Sequence, residues 1–195
     1  MISIDTHSGN SAGSAAMAGT DAQWKEKLRD GTTVLIRSIR GGDAAIERSF
    51  IERLSPEARH FRFLGEIKIV SPELLAQLTH PDPLRDVAFI ALIAQGSEKV
   101  EIGVARFSMR PDGRACECAV AVSDEWQHRG LATLLMQHLI EVARLRGIEC
   151  MYSIDASGNS GMRELAEHLG FKRKADPSDA TQVLHVLDLQ APTAG

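Results

Sequence analysis

The residues of this sequence best spaced for chemistry run from Glu117 to Thr133, where a short apolar strand, a turn and a glycine lead into a long amphipathic segment. Within it, Gln127-His128-Arg129-Gly130-Leu131-Ala132-Thr133 sets side chains able to meet an anion beside a glycine that, lacking a Cβ, lets a ligand approach the backbone. A helix beginning at Leu131 leaves its first backbone N–H groups without intrahelical partners and carries the positive end of its dipole, so a phosphate can sit there. That dipole slightly disfavours Arg129 at the helix start, and a bound phosphate would offset this. Glu117 interrupts an otherwise small and apolar run, Cys116 to Val122. A carboxylate there can serve as a general base, and it can equally be an exposed strand-end residue.

These residues need a scaffold, and the chain supplies strong local signals for one. Thr33 to Ile39 is β-branched and brief, hence a first strand. Asp43 is placed to cap a helix from Ala44 to about Leu54. Ser55-Pro56-Glu57 and Ser71-Pro72-Glu73 each place a capping hydroxyl before a proline at the first helical position. Val87 to Ala94, Val100 to Met109 and Cys116 to Val122, separated by turns at Gly96-Ser97 and Pro111-Asp112-Gly113, read as antiparallel strands. Leu131, Leu134, Leu135, Leu139, Val142 and Ala143 form the apolar stripe of a helix closed by Gly147. A strand from Cys150 to Ile154, a helix from Asn159 to Leu169 and strands over Phe171 to Lys174 and Thr181 to Leu189 follow. This order predicts an α/β (α+β) domain, a mixed and mostly antiparallel sheet with helices on its faces.

Composition sets the limits. A chain of 195 residues with 44% hydrophobic content fits one substantial core. We expect a disordered Ser/Gly/Ala-rich tail over 1–22, a domain over 23–190 and a short tail over 191–195. A net charge of -4 and a pI near 6.0 argue against nucleic acid as a partner. No apolar run is long enough for a membrane span, and no secretory signal is evident. The three cysteines, Cys116, Cys118 and Cys150, lack zinc-type spacing, so no metal is expected and reduced thiols in the cytoplasm are the plain reading.

The loop Gln127-His128-Arg129-Gly130-Leu131-Ala132 resembles the acetyl-CoA signature of the GCN5-related N-acetyltransferases: Gln or Arg, any two residues, Gly, any residue, Gly or Ala. Asn159 and Leu169-Gly170-Phe171 are similar to that family's downstream Asn and Leu-Gly-Phe segment. A narrower likeness, in Leu54 to Phe63 and Asp124-Glu125-Trp126-Gln127, is to the acetyltransferase domain of bacterial protein lysine acetyltransferases that act on acyl-CoA synthetases. The resemblance implies acetyl-CoA as cosubstrate, its pyrophosphate held by His128, Arg129 and the amides of His128 to Thr133. The pantetheine arm would lie along the backbone of Val120, Ala121 and Val122, with Gln127, Gly130, Leu131, Ala132 and Asn159 completing the cofactor set.

Glu117 matches the Glu that acts as base in the lysine acetyltransferase group. Asp155 is the competing carboxylate, read more simply as the cap of the following turn. The position where many family members carry a Tyr acid is Ala166, and the only tyrosine, Tyr152, lies elsewhere. The acceptor implied is a protein lysine, with a small-molecule amine as the alternative and a non-catalytic acyl-CoA-sensing module as a third reading. A homodimer is left open.

Overall fold

The computed structural model describes residues 18–63, 69–175, 179 and 181–190. The terminal segments 1–17 and 191–195, expected to be tails, lie outside the described residues. In chain order the elements are β1 (Gln23–Lys27), β2 (Thr33–Ser38), α1 (Ala44–Arg53), α2 (Pro56–Phe63), α3 (Pro72–Thr79), β3 (Asp86–Gln95), β4 (Glu98–Met109) and β5 (Ala115–Val122). These are followed by α4 (Leu131–Leu145), β6 (Cys150–Ala156), α5 (Ser160–His168), β7 (Lys172–Ala175) and β8 (Gln182–Asp188). The strands form one eight-stranded sheet in the order β1-β2-β3-β4-β5-β6-β8-β7. Every pairing is antiparallel except β5 with β6.

Successive strand residues point to opposite faces, so a central strand must be apolar on both. β3 shows this directly. Val87, Phe89 and Ala91 enter one core with Leu131, Leu135, Met136 and Leu139 of α4, while Ala88, Ile90 and Leu92 enter a second with Phe50, Ile51, Leu75 and Leu78 of α1 and α3. The sheet is thus clamped between two helical layers. Leu135 and Leu139 are fully buried, each contributing about 1.5–3 kcal/mol of transfer free energy.

Gly103 of β4 fixes how closely α4 lies on the sheet. A Cβ there would meet Leu131 Cδ2, Leu135 Cδ1 and the Ala121 carbonyl, each at 3.2 Å. Next to it, the β3–β4 register slips, Ala91 facing Gly103 and Leu92 facing Glu101, and the intervening Ile102 is a bulge residue. The Ile102 carbonyl accepts the Ser123 N–H at 3.0 Å, pinning the end of β5 where the loop begins.

Both Ser-Pro starts behave as their sequences predict. Ser55 Oγ accepts the Ala58 N–H at 3.1 Å and Ser71 Oγ accepts the Leu74 N–H at 3.2 Å. Asp43 does not cap α1 with its side chain. Its carboxylate instead takes two 2.7 Å bonds from the buried Arg37 guanidinium and a third from the Arg40 N–H. A charge-assisted bidentate pair is a stronger claim on a carboxylate than a helix N–H.

Two parts of the fold extend beyond the expectation. β1 carries a single large apolar residue, Trp24, among charged ones, yet pairs with β2 from Gln23↔Arg37 to Lys27↔Thr33. Ala18 to Ala22, assigned to the tail by composition, are tied to the domain through backbone groups that need no apolar side chain. The Ser38 hydroxyl donates to the Gly19 carbonyl at 2.8 Å, and Arg146 Nε donates to the Ala18 carbonyl at 2.8 Å.

Candidate active site

The site originates in a fork. Parallel β5 and β6 pair only at Ala115↔Cys150, Cys116↔Met151 and Glu117↔Tyr152, although β5 runs on to Val122 and β6 to Ala156. Past Glu117 the strands part, and the β5 edge from Cys118 to Val122 faces a cleft of about 680 Å³ instead of a neighbouring strand. An unpaired strand edge offers N–H and C=O groups to an extended ligand, as an added strand would take them. Val120, Ala121 and Val122 line this cleft.

At its far end the cleft meets the start of α4. Gly130 has φ +86°, a left-handed conformation, and an added Cβ would lie 3.3 Å from Arg29 Nε. The first intrahelical bond runs from Leu134 N–H to the Gly130 carbonyl, and no side chain caps the helix. The Leu131, Ala132 and Thr133 amides therefore have no intrahelical acceptor, and all three residues line the cleft with no acidic residue in the helix's first turn. His128, with φ +60°, also lines it. A left-handed non-glycine residue costs roughly 1–2 kcal/mol. These open amides and the bare Gly130 backbone fit a pyrophosphate, and the unpaired β5 edge fits an amide-bearing arm such as pantetheine.

Other loop side chains are used differently from the expectation. Arg129 does not line the cleft: its guanidinium bonds Asp30 at 2.8 Å and stacks 4.6 Å over the Trp126 ring. The hairpin that brings Asp30 there is the unpredicted β1–β2 pair, so nothing local to the loop could reveal it. Gln127 lines the cleft while its Nε2 donates to the Val122 carbonyl at 3.4 Å, closing the loop on itself. Asn159 lines the cleft and caps α5, its Oδ1 accepting the Met162 N–H at 3.0 Å.

Glu117 sits on the last rung of the fork, exposed, with Ser108 beside it on β4 and Tyr152 on β6. It opens to the same cleft as Ala58, Phe61 and Arg62 of α2. The start of α2 is fastened to the loop side, because Ser55 donates to Asp124 through both its N–H (3.1 Å) and its hydroxyl (2.9 Å). Burial raises the Tyr152 phenol above its usual range, and the Glu117 charge adds to that. Ala166, at the family's acid position, is fully buried.

Cys116 and Cys118 lie in the core on the α4 side. Burial, with Cys150 nearby, pushes Cys116 up to about 12, and burial raises Cys118 well above the ordinary thiol range. Both are neutral and poor nucleophiles. Asp155 lines the cleft but does not cap the following turn. It accepts the Ser153 hydroxyl at 2.6 Å and is 3.0 Å from Nδ1 of the buried His185. Sequence reasoning missed this cluster, which forms only because β8 pairs with β6 in a register that sets His185 against Ser153.

Among the described residues no group of three or more His, Cys, Asp or Glu could hold a metal ion, and no helix is long and apolar enough to cross a membrane.

Residues 65–171 match the model of the acetyltransferase (GNAT) family. A Pseudomonas aeruginosa protein described as an acetyltransferase is 48% identical over 181 residues, covering 92% of this chain and 97% of its own length. Among solved structures, the GNAT domain of S. lividans PAT superposes with a TM-score of 0.77 at 28% identity, covering 85% of this chain and 96% of that one. The Salmonella typhimurium protein yncA, solved with its cofactor acetyl-CoA, gives 0.62 at 21% identity, over 83% of this chain and 97% of that one.

Proposed function

The chain belongs to the GNAT acetyltransferase family and is an acyltransferase, and on that premise we propose that it moves an acetyl group from acetyl-CoA to a primary amine, a protein lysine side chain, with Glu117 as general base. The observation that carries this reading is the fork: the exposed Glu117 carboxylate stands on the last rung before two paired strands separate. An acyl-pantetheine arm laid along Cys118 to Val122 would end beside it. Acetyl-CoA, when bound, supplies the activated acyl group.

The residues divide the work. The open amides of Leu131 to Thr133 and the bare backbone at Gly130 hold the pyrophosphate, and the β5 edge holds the arm. An amine reaches the cleft as an ammonium ion, so it must lose a proton before its lone pair can attack the thioester carbonyl. Glu117 takes that proton, directly or through one water, a contribution typically of about 10²–10⁴ in rate. The carbon–sulfur bond then breaks, and the departing thiolate takes a proton from water, since Ala166 offers none. The neutral thiols of Cys116 and Cys118 fit direct transfer, without a covalent acyl-cysteine.

The lysine acceptor is supported by the Leu54 to Phe63 segment, which forms one wall of the cleft through Ala58, Phe61 and Arg62. Incubation with acetyl-CoA and a panel of acyl-CoA synthetases, read by mass spectrometry, is expected to give acetyl-lysine on at least one of them. No labelled synthetase, together with thiol release from small amines, would overturn the protein acceptor and leave the small-molecule alternative.

A further inference from the structure

The arginine that the loop sequence offers to a phosphate, Arg129, is occupied elsewhere, and a different arginine stands over the loop. We infer that Arg29, at the tip of the β1–β2 hairpin, binds the pyrophosphate of acetyl-CoA. The inference rests on the acetyl-CoA reading given above and assigns one of that site's contacts to an element outside the residues matched by the family model, 65–171.

The hairpin tip is held in place. Leu28 is buried in the main core, its N–H donates to the Thr32 carbonyl at 2.8 Å, and the Gly31 N–H donates to the Leu28 carbonyl at 2.9 Å. Two further bonds join this tip to the phosphate loop: Arg29 N–H to the Arg129 carbonyl at 3.2 Å, and Arg129 to the Asp30 carboxylate at 2.8 Å across 99 positions of sequence. The Thr32 N–H fixes Asp30 from the other side at 2.9 Å.

Charge matching then separates the two arginines. Asp30 neutralises Arg129, whose guanidinium lies on Trp126 and away from the cleft. Arg29 lines the cleft and has no carboxylate partner among the described residues. Its Nε lies 3.3 Å from where a Gly130 Cβ would be, over the glycine that precedes the open amides of α4. An anion seated on those amides gains a charge-assisted bond from a side chain that has no other ion pair among the described residues. Arg129 serves as the brace that carries this hairpin to the loop.

The test is calorimetric titration of the full chain and its variants with acetyl-CoA, acetyl-3′-dephospho-CoA and acetyl-pantetheine. R29A is expected to weaken the two pyrophosphate compounds alike, by about 10- to 100-fold, and to leave acetyl-pantetheine affinity unchanged. R29K should recover most of the affinity for both pyrophosphate compounds. An R29A chain that binds acetyl-CoA as the wild type does overturns the inference. So does an equal loss for acetyl-pantetheine, which would mark a structural role. A loss that disappears when the 3′-phosphate is removed overturns the pyrophosphate assignment. A wild-type chain that binds none of the CoA compounds overturns the acetyl-CoA reading itself, and the inference with it.

Discussion

Among single residues, the proposed function gives a carboxylate and a glycine different duties. Gly130 is assigned to binding: its φ of +86° strains any side chain, and an added Cβ would crowd Arg29 at 3.3 Å. Gly130→Val should therefore weaken acetyl-CoA at least tenfold, or destabilise the loop by about 1–3 kcal/mol, as a strained left-handed valine would. Normal affinity in a folded variant, read by calorimetry and thermal melting, would contradict this. Glu117 and Gly130 were both legible in the sequence, one as an interruption of an apolar run and the other as the hinge of a strand–loop–helix signature. The orientation of Arg129 was not, because its partner Asp30 is remote in sequence. Asp155 was likewise misread as a turn cap, since its bonds to Ser153 and His185 require the β6–β8 register.

Among the elements, α1, which leads into the α2 wall of the cleft, packs on a buried polar group. Glu47 of α1 and Glu101 of β4 are both buried, and Arg106 reaches Glu47 at 3.4 Å while Arg53 donates to the Glu101 carbonyl at 2.9 Å. Burial holds the Glu101 carboxyl well above the usual carboxylate range, and the Glu47 charge adds to that. A folded-state value raised above the unfolded one gives stability that is fully present below the unfolded value and is lost as pH rises through the folded one. Glu101→Gln stays neutral at every pH. As pH rises above the ordinary carboxylate range its melting temperature should fall less than that of the wild type, and parallel curves would contradict the assignment.

Asp43 behaves oppositely. Burial alone would raise its carboxyl, but the Arg37 and Arg40 bonds more than offset this and hold it low. Its stabilisation is present above the unfolded carboxylate value and is lost as pH falls through the folded one, outside the Glu101 window. Removing one partner of this buried pair, as in Asp43→Asn, should cost about 3–5 kcal/mol in denaturant unfolding, and a loss below about 1 kcal/mol would show that the pair is solvated. The Ser-Pro helix starts were readable because a cap is a local device. β1 was not, because a strand of alternating charged residues has no apolar period to detect and is held by pairing with β2.

At the scale of the whole molecule, one sheet serves two cores and opens once, at the β5–β6 fork. The mixed, mostly antiparallel sheet was legible because the β-forming runs between Val87 and Val122 are separated by turns at Gly96-Ser97 and Pro111-Asp112-Gly113. Which strands would separate was not, since the fork depends on β6 leaving β5 after three rungs. A ligand spanning the fork and the α4 start should bind only the folded chain. Acetyl-CoA at one hundred times its Kd should then stabilise the fold by about 2.7 kcal/mol, or roughly 5–10 °C in melting temperature. Acetyl-pantetheine, lacking the pyrophosphate, should do so only at much higher concentration, and equal shifts from the two at equal concentration would contradict the division of the cleft.

If the fork presents Glu117 as the base beside a separately built cofactor cradle, transfer and cofactor affinity must come apart in a Glu117 variant. Single-turnover acetyl transfer by Glu117→Gln, measured with its acetyl-CoA Kd, tests this most directly. The rate is expected to fall by about 10²–10⁴ with the Kd within twofold of the wild type. An unchanged rate, or a rate and an affinity that fall together, would contradict it.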